Sequence, residues 1–222
     1  MNWDEVRKEI VDACHRLEAL GLVAGASGNV SVKLPPADDG RVLLAITPSQ
    51  VHYRVLKPEQ VLVIDLEKNV IDGQGQPSSE TNSHLAAYRA REDVGSVIHS
   101  HSIYASALAV AGQEIPPLID EQVVSLGGSV PCAEWGMSGS DQLGTNAMEA
   151  MGLRRAVLLR SHGVLAVARD LEEAIHIVTF VERLAKTYIM ARMVGEVKTL
   201  PANIVELEEK YYRAKNGLPQ DA

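Results

Sequence analysis

Residues 95–102 read GSVIHSHS, an apolar run closed by two histidines, His99 and His101, one residue apart. Side chains at i and i+2 of a strand point to the same side, so a strand here projects both imidazoles from one face, their backbones about 6–7 Å apart. That geometry suits two ligands on one metal ion. The run IYASALAVAG that follows reads as a helix, so the two histidines stand where a strand hands over to a helix.

Upstream, residues 3–20 carry helical periodicity (Val6, Ile10, Ala13, Cys14, Leu17, Leu20) and stop at Gly21. GLVAGASGNVSVKL is a glycine-rich turn leading into an alternating strand, PPADDGR a turn, and VLLAITPS a strand ended by Pro48. VLVIDLEKNVIDGQG reads as strand, turn and strand, and PSSETNSHLAAYRARED as a helix opened by a capping signal. Downstream, VVSLGGSVPCAEW is expected to form two more strands and DQLGTNAMEAMG a helix. AVLLRSHGVLAVA gives a strand pair about SHG. DLEEAIHIVTFVERLAKTYIMARMVG is a long helix capped by Asp170, and VELEEKYYRAK a short terminal one. Strands and helices without a regular βα alternation predict one α/β domain over 1–222, three layers deep, with a central, largely antiparallel sheet flanked by helices.

The 46% hydrophobic content is enough for one sizeable core, but with 4% aromatics that core is built from Val, Leu, Ile and Ala. A net charge of −8 argues against nucleic acid or an anionic membrane as a partner. No apolar run reaches the length of a membrane span, and MNWDEVRKEI reads as a helix start rather than a signal peptide. Cys14 and Cys132, far apart and without CxxC spacing, read as thiols of a reducing cytosol.

A third histidine, His162, lies in LLRSHGV, where an apolar strand reaches a turn. Three imidazoles with an open position fit a catalytic Zn²⁺ or a similar divalent ion; ordinary histidines satisfied by hydrogen bonds are the competing reading. In PSSET, Ser78 and Ser79 sit where a helix begins and Glu80 falls in its first turn, so the helix N-terminus can hold an anion such as phosphate, or the string can be a plain N-cap. Glu80 and His84 share one helical face, which lets His84 position the carboxylate. GASGN, Gly25 to Asn29, is a second anion loop or a tight turn. Together these features point to a small phosphorylated substrate beside a metal. His15 and His176 fall within helices as structural or surface groups, and His52 is assigned no role.

GNVSV, ITPSQ, PSSET, HSH and SHG, in this order over nearly the whole chain, resemble the class II aldolase/adducin family, most of all its fuculose-phosphate aldolases. The resemblance implies a zinc-dependent aldolase that cleaves a ketose 1-phosphate, such as L-fuculose 1-phosphate, to dihydroxyacetone phosphate and an aldehyde through a metal-stabilised enediolate. It implies zinc on His99, His101 and His162, with Mn²⁺ or Co²⁺ as other occupants. It implies too that Glu80 touches the metal at rest and serves as general acid/base. It further implies a phosphate pocket of Gly28, Asn29, Ser49, Gln50, Ser78 and Ser79, and a cytoplasmic homotetramer with sites between subunits.

Two departures stand out. The fuculose enzymes have glycine where Gln50 stands, and their two aldehyde-handling tyrosines fall here near Asp120 and Glu121 and near Asn216. Tyr211 and Tyr212 lie close to the second position, so Asp120, Glu121, Tyr211 and Tyr212 are the candidates for a second acid/base. Competing chemistries on the same site are pentulose-phosphate 4-epimerisation, cleavage or dehydration of methylthioribulose 1-phosphate, and decarboxylation of a phosphorylated 3-keto acid. The non-enzymatic alternative is a phosphosugar-binding or adducin-like structural module.

Overall fold

The computed structural model describes residues 3–37 and 39–220. Met1, Asn2, Asp38, Asp221 and Ala222 lie outside it, and with them part of the PPADDGR turn and both ends of the expected 1–222 domain. The chain opens with α1 (Asp4–Ala19), then runs through β1 (Asn29–Lys33), β2 (Leu43–Ile46), β3 (Leu62–Asp65) and β4 (Val70–Asp72). After α2 (Thr81–Ala90) come β5 (Ser96–Ser100) and α3 (Ile103–Ala111). The second half contains α4 (Asp120–Leu126), β6 (Cys132–Ala133), α5 (Asp141–Met151), β7 (Ala156–Leu159), β8 (Gly163–Ala168), α6 (Leu171–Val194) and α7 (Ala202–Lys215).

The eight strands form one sheet in the order β4-β3-β2-β1-β5-β8-β7-β6. Every pairing is antiparallel except β6 with β7. β5 sits at its centre, paired on one side with β1 (Asn29 opposite His99) and on the other with β8 (His99 opposite Leu165). All five β5 residues are buried. The two-residue period of the strands divides the core into two. Ile98, Val30 and Ala166 point to the side filled by α1, α3 and α6, whereas Val97, Leu165 and Val157 point to the side filled by α2 and α5. The helices on the two faces complete the expected three layers. No helix among the described residues is long and apolar enough to cross a membrane.

Local chemistry accounts for the boundaries. The Asp170 carboxylate accepts from the Glu173 N–H and starts α6, as expected, and the Ser140 hydroxyl does the same for α5. Two expectations are corrected. VVSLGG is not a strand: Asp120–Leu126 is a helix, closed by Gly127 at φ 84°. Its Gln122 side chain is buried and donates to the carbonyls of Pro116 and Gly128 while accepting from Leu118 N–H, so a loop that would otherwise leave polar backbone unpaired is tied to the helix. Asp120 and Glu121 favour the positive end of that helix, a force that the β-branched pair Val123–Val124 hides from a strand reading. Glu80 is also not in the first turn. It is the residue before α2, at φ −103° and ψ 16°, and its side chain makes no capping bond.

Candidate active site

The pleat of β5 and β1 sets the site. His99 shares its face with Val97, toward α2, and its cross-strand partner Asn29 shares that face with Ser31. His101 lies just past the end of β5, and His162 in the β7–β8 turn, where Ser161 takes the left-handed conformation at φ 57°. Such strain in a non-glycine residue gathers at functional turns. Glu80, at the mouth of α2, completes a cluster with His99, His101 and His162 whose ligand-type atoms all lie within 4.8 Å of one another.

Within it, His99 Nε2 is 2.7 Å from His101 Nε2 and 2.9 Å from Glu80 Oε2, and His162 Nε2 is 3.0 Å from Glu80 Oε1. His99 Nδ1 donates to the Val164 carbonyl at 2.8 Å, which leaves the lone pair of neutral His99 on Nε2, facing the cluster. Several lone pairs converging on one point repel unless a cation lies among them. This donor set fits a divalent ion bound by three imidazoles and one carboxylate. Burial and the neighbouring His99 and His162 push His101 down to about 4, so it stays neutral and ready to ligate at physiological pH. Burial pushes the Glu80 carboxyl up, but His162 and His99, which donate to it in their protonated forms, outweigh that together with the Ser138 hydroxyl and hold Glu80 well below the usual carboxylate range.

Two further groups hold Glu80. The Ser138 hydroxyl donates to Oε1, and the Asn29 side-chain amide reaches Oε2 at 3.4 Å. Ser138 escaped the sequence reading because WGMSGS resembles an ordinary loop. Only the packing of Gly139 against Ser79, with Asn82 donating to the Gly139 carbonyl, brings that loop over the start of α2.

Beside the cluster lies a cavity of about 440 Å³ lined by residues 26–29, 48–50, His52, residues 78–80 and His101. All six residues expected to bind phosphate, Gly28, Asn29, Ser49, Gln50, Ser78 and Ser79, line it. Two of them have their backbone N–H engaged elsewhere: Ser49 donates to Gln76 and Ser78 to Thr47, locking the two loops together. The first N–H groups around α2 are likewise engaged, Glu80 by Ser78 Oγ and Thr81 by the Ser78 carbonyl. Gln50 sits at φ 59°, so the position keeps a glycine-like backbone although the residue is not glycine.

The second acid/base candidates lie elsewhere in this chain. Glu121 pairs with Arg183 at 2.6 Å, and Asp120 stands beside Glu208. Tyr212 is buried with its hydroxyl on the Leu153 carbonyl at 2.8 Å, and Tyr211 is exposed. None of the four lines the cavity. His15 and His176 are exposed on helices, as expected.

Known proteins resemble this chain along most of its length. The model of the Class II Aldolase and Adducin N-terminal domain family matches residues 8–189. The chain is 37% identical over 200 residues to the 5-deoxy-D-ribulose 1-phosphate aldolase of Bacillus thuringiensis serovar kurstaki, which covers 90% of this chain and 92% of that protein. It is 33% identical over 189 residues to the L-fuculose phosphate aldolase of Escherichia coli, 85% of each. Among solved structures, an L-fuculose 1-phosphate aldolase superposes with a TM-score of 0.86 at 36% identity, covering 94% of this chain and 96% of the other.

Proposed function

This chain belongs to the class II aldolase and adducin family, and from that premise we propose that it is a Zn²⁺-dependent aldolase acting as one domain. It cleaves the C3–C4 bond of a ketose 1-phosphate, giving dihydroxyacetone phosphate and a short aldehyde. The observation that carries this reading is the Glu80 carboxylate, lodged between His99 and His162 on the rim of a cavity lined by hydroxyls and glycine-rich backbone. The relatives named for 5-deoxyribulose and fuculose phosphates support a substrate with its phosphate on the dihydroxyacetone half.

His99, His101 and His162 hold the ion, and Mn²⁺ or Co²⁺ suits the same donors. When bound, it supplies Lewis acidity that draws electron density from the substrate carbonyl. The phosphate seats among Gly28, Asn29, Ser49, Gln50, Ser78 and Ser79, which fixes C3 beside Glu80. Glu80, able to take up a proton once substrate displaces the contacts that keep it ionised, delivers that proton to C3 as C3–C4 breaks and its electron pair passes toward the carbonyl oxygen. The proton lost from the C4 hydroxyl balances it. The low basicity imposed on Glu80 by His162, His99 and Ser138 keeps it ionised until substrate displaces those contacts. The homotetramer that family membership implies would let a neighbouring subunit supply the group that takes the C4 hydroxyl proton, since Asp120, Glu121, Tyr211 and Tyr212 stand away from the cavity of their own chain.

The test is release of aldehyde and dihydroxyacetone phosphate from a panel of ketose 1-phosphates, using metal-loaded protein and Glu80→Gln, with metal content measured on both. Cleavage that disappears in the variant while metal stays bound supports the reading, and the preferred substrate names the aldehyde. Full metal loading with no cleavage by the wild type overturns it.

A further inference from the structure

The cavity brings little positive charge to a phosphate. A phosphoryl dianion is normally met by Lys or Arg, by free backbone N–H groups, or by both. No Lys or Arg lines this cavity among the described residues, and Glu80 adds a negative charge to its rim. The N–H groups of Ser49 and Ser78 already bond to Gln76 and Thr47, and the start of α2 is engaged by Ser78. Outside the three-histidine cluster, one lining side chain is able to carry positive charge, and it is His52.

The fold holds His52 there by a specific contact. Tyr53 N–H donates to the Gly25 carbonyl at 3.0 Å, which pins the backbone after His52 to the GASGN loop. The imidazole then lies directly over Gly25: a Cβ on that glycine would stand 3.2 Å from Cε1 and 3.4 Å from Nδ1. Gly25, at φ 65°, meets both demands, since its backbone is left-handed and its missing side chain makes room for the ring. The ring therefore bridges the GASGN and ITPSQ loops, which carry four of the six expected phosphate residues, Gly28, Asn29, Ser49 and Gln50.

We propose that His52 is a specificity-determining residue of the phosphate pocket, its imidazole, the one lining side chain outside the three-histidine cluster able to carry positive charge, supplying an N–H donor that selects a phosphorylated substrate. The proposal rests on the phosphate seat of the proposed function, though not on the aldol chemistry. A charge-assisted hydrogen bond is worth enough that its loss weakens binding about tenfold or more.

The experiment titrates inorganic phosphate calorimetrically into metal-loaded wild type, His52→Ala, His52→Gln and His52→Lys. Because His52 is exposed, these substitutions leave the core untouched. The expected result is phosphate affinity lower by about tenfold in His52→Ala, similarly weak in His52→Gln and restored toward wild type in His52→Lys. With a cleaved ketose 1-phosphate, KM rises about tenfold in His52→Ala while kcat stays within twofold, a split that a merely structural loop contact would not produce. Equal phosphate affinity in wild type and His52→Ala overturns the proposal. His52-dependent phosphate binding in a protein that cleaves no ketose phosphate keeps the proposal and discards the aldolase reading, so the two fail separately.

Discussion

His84 and Glu80, four residues apart, do not touch; Asn29 stands between them. The Asn29 carbonyl oxygen accepts only, so His84 Nε2 must carry the proton, and Nδ1 then accepts from the Ser31 hydroxyl at 2.6 Å. Ser31 Oγ in turn lies 2.9 Å from the Tyr88 hydroxyl, which donates to it, and the Asn29 amide turns its N–H₂ toward Glu80 Oε2. Each donor and acceptor in this buried line has one consistent direction, from Tyr88 through Ser31, and from His84 through Asn29 to the carboxylate. We expect His84→Gln, which loses the ring geometry, to lower kcat about 10–100-fold, the usual cost of removing a group that orients a ligating or catalytic side chain. Metal content stays near that of the wild type, because His99, His101 and His162 are unchanged. Unaltered kcat would show that Asn29 needs no support from His84.

The same residue gives the fold an acid sensitivity. Burial, helped by His99, pushes His84 down to about 3 from its ordinary value of 6.5. Between those values the unfolded chain takes up a proton that the native protein refuses, so the unfolded state binds more protons and stability falls as pH drops. The contribution is fully present above about pH 6.5, is lost progressively down to pH 3, and has a slope of up to about 1.4 kcal/mol per pH unit. Urea unfolding of chelator-treated protein across pH 4–7 checks this: the wild type should lose stability more steeply than His84→Gln. Parallel slopes would contradict it.

Why the chain disclosed its site so readily is visible in β5 and β8. GSVIHSH and LLRSHGV carry their histidines at or just past the ends of apolar strands; the two-residue period of β5 fixes the face that His99 leaves from, while His101, beyond the strand, and His162, in a turn, join it through the loops. The long helices were legible for the same kind of local reason, an apolar stripe and a cap at Asp170. What resisted reading depends on contacts distant in sequence. VVSLGG becomes a helix because Gln122 gathers the carbonyls of a loop, and β-propensity in Val123 and Val124 carries no trace of that. Ser138 meets Glu80 across 58 positions, and His52 meets Gly25 across both β1 and β2, so neither pairing leaves a spacing to recognise. The helix start at PSSET was legible, but not that Ser78 would occupy its donors.

Gly163 follows His162 and packs where no side chain fits. A Cβ there would lie 2.4 Å from the Ser100 carbonyl oxygen, 3.0 Å from His101 Cδ2 and 3.2 Å from His99 Cε1. Gly163→Ala must therefore push β8 from β5 or turn the imidazoles aside. Forcing one methyl into such packing costs about 1–3 kcal/mol. The distinguishing result is in metal binding: affinity should fall in Gly163→Ala even where circular dichroism reports an intact fold, because the strain falls on two rings of the proposed metal cluster. A variant that binds metal as tightly as the wild type would mean that the backbone yields instead.

Far from the site, Asp93 gathers two arginines at the edge of α7. Arg155 Nη1 and Arg91 Nη2 each reach Asp93 Oδ2 at 2.7 Å, and Arg155 Nη2 donates to Asn216 Oδ1 at 3.0 Å, fastening the end of α7 to the strand that begins at Ala156. The Arg155 side chain is fully buried while that of Asp93 keeps 24% exposure, so the two partners are not equivalent. Asp93→Ala leaves a buried guanidinium without its counter-charge and should cost about 3–5 kcal/mol. Arg155→Met removes the buried charge itself, fills much of the same volume, and leaves Asp93 paired with Arg91, so its cost should be about 1–2 kcal/mol. Urea midpoints decide the order: Asp93→Ala below Arg155→Met below wild type. The reverse order would mean that the Asn216 bond to Arg155, rather than charge balance at Asp93, holds α7 in place.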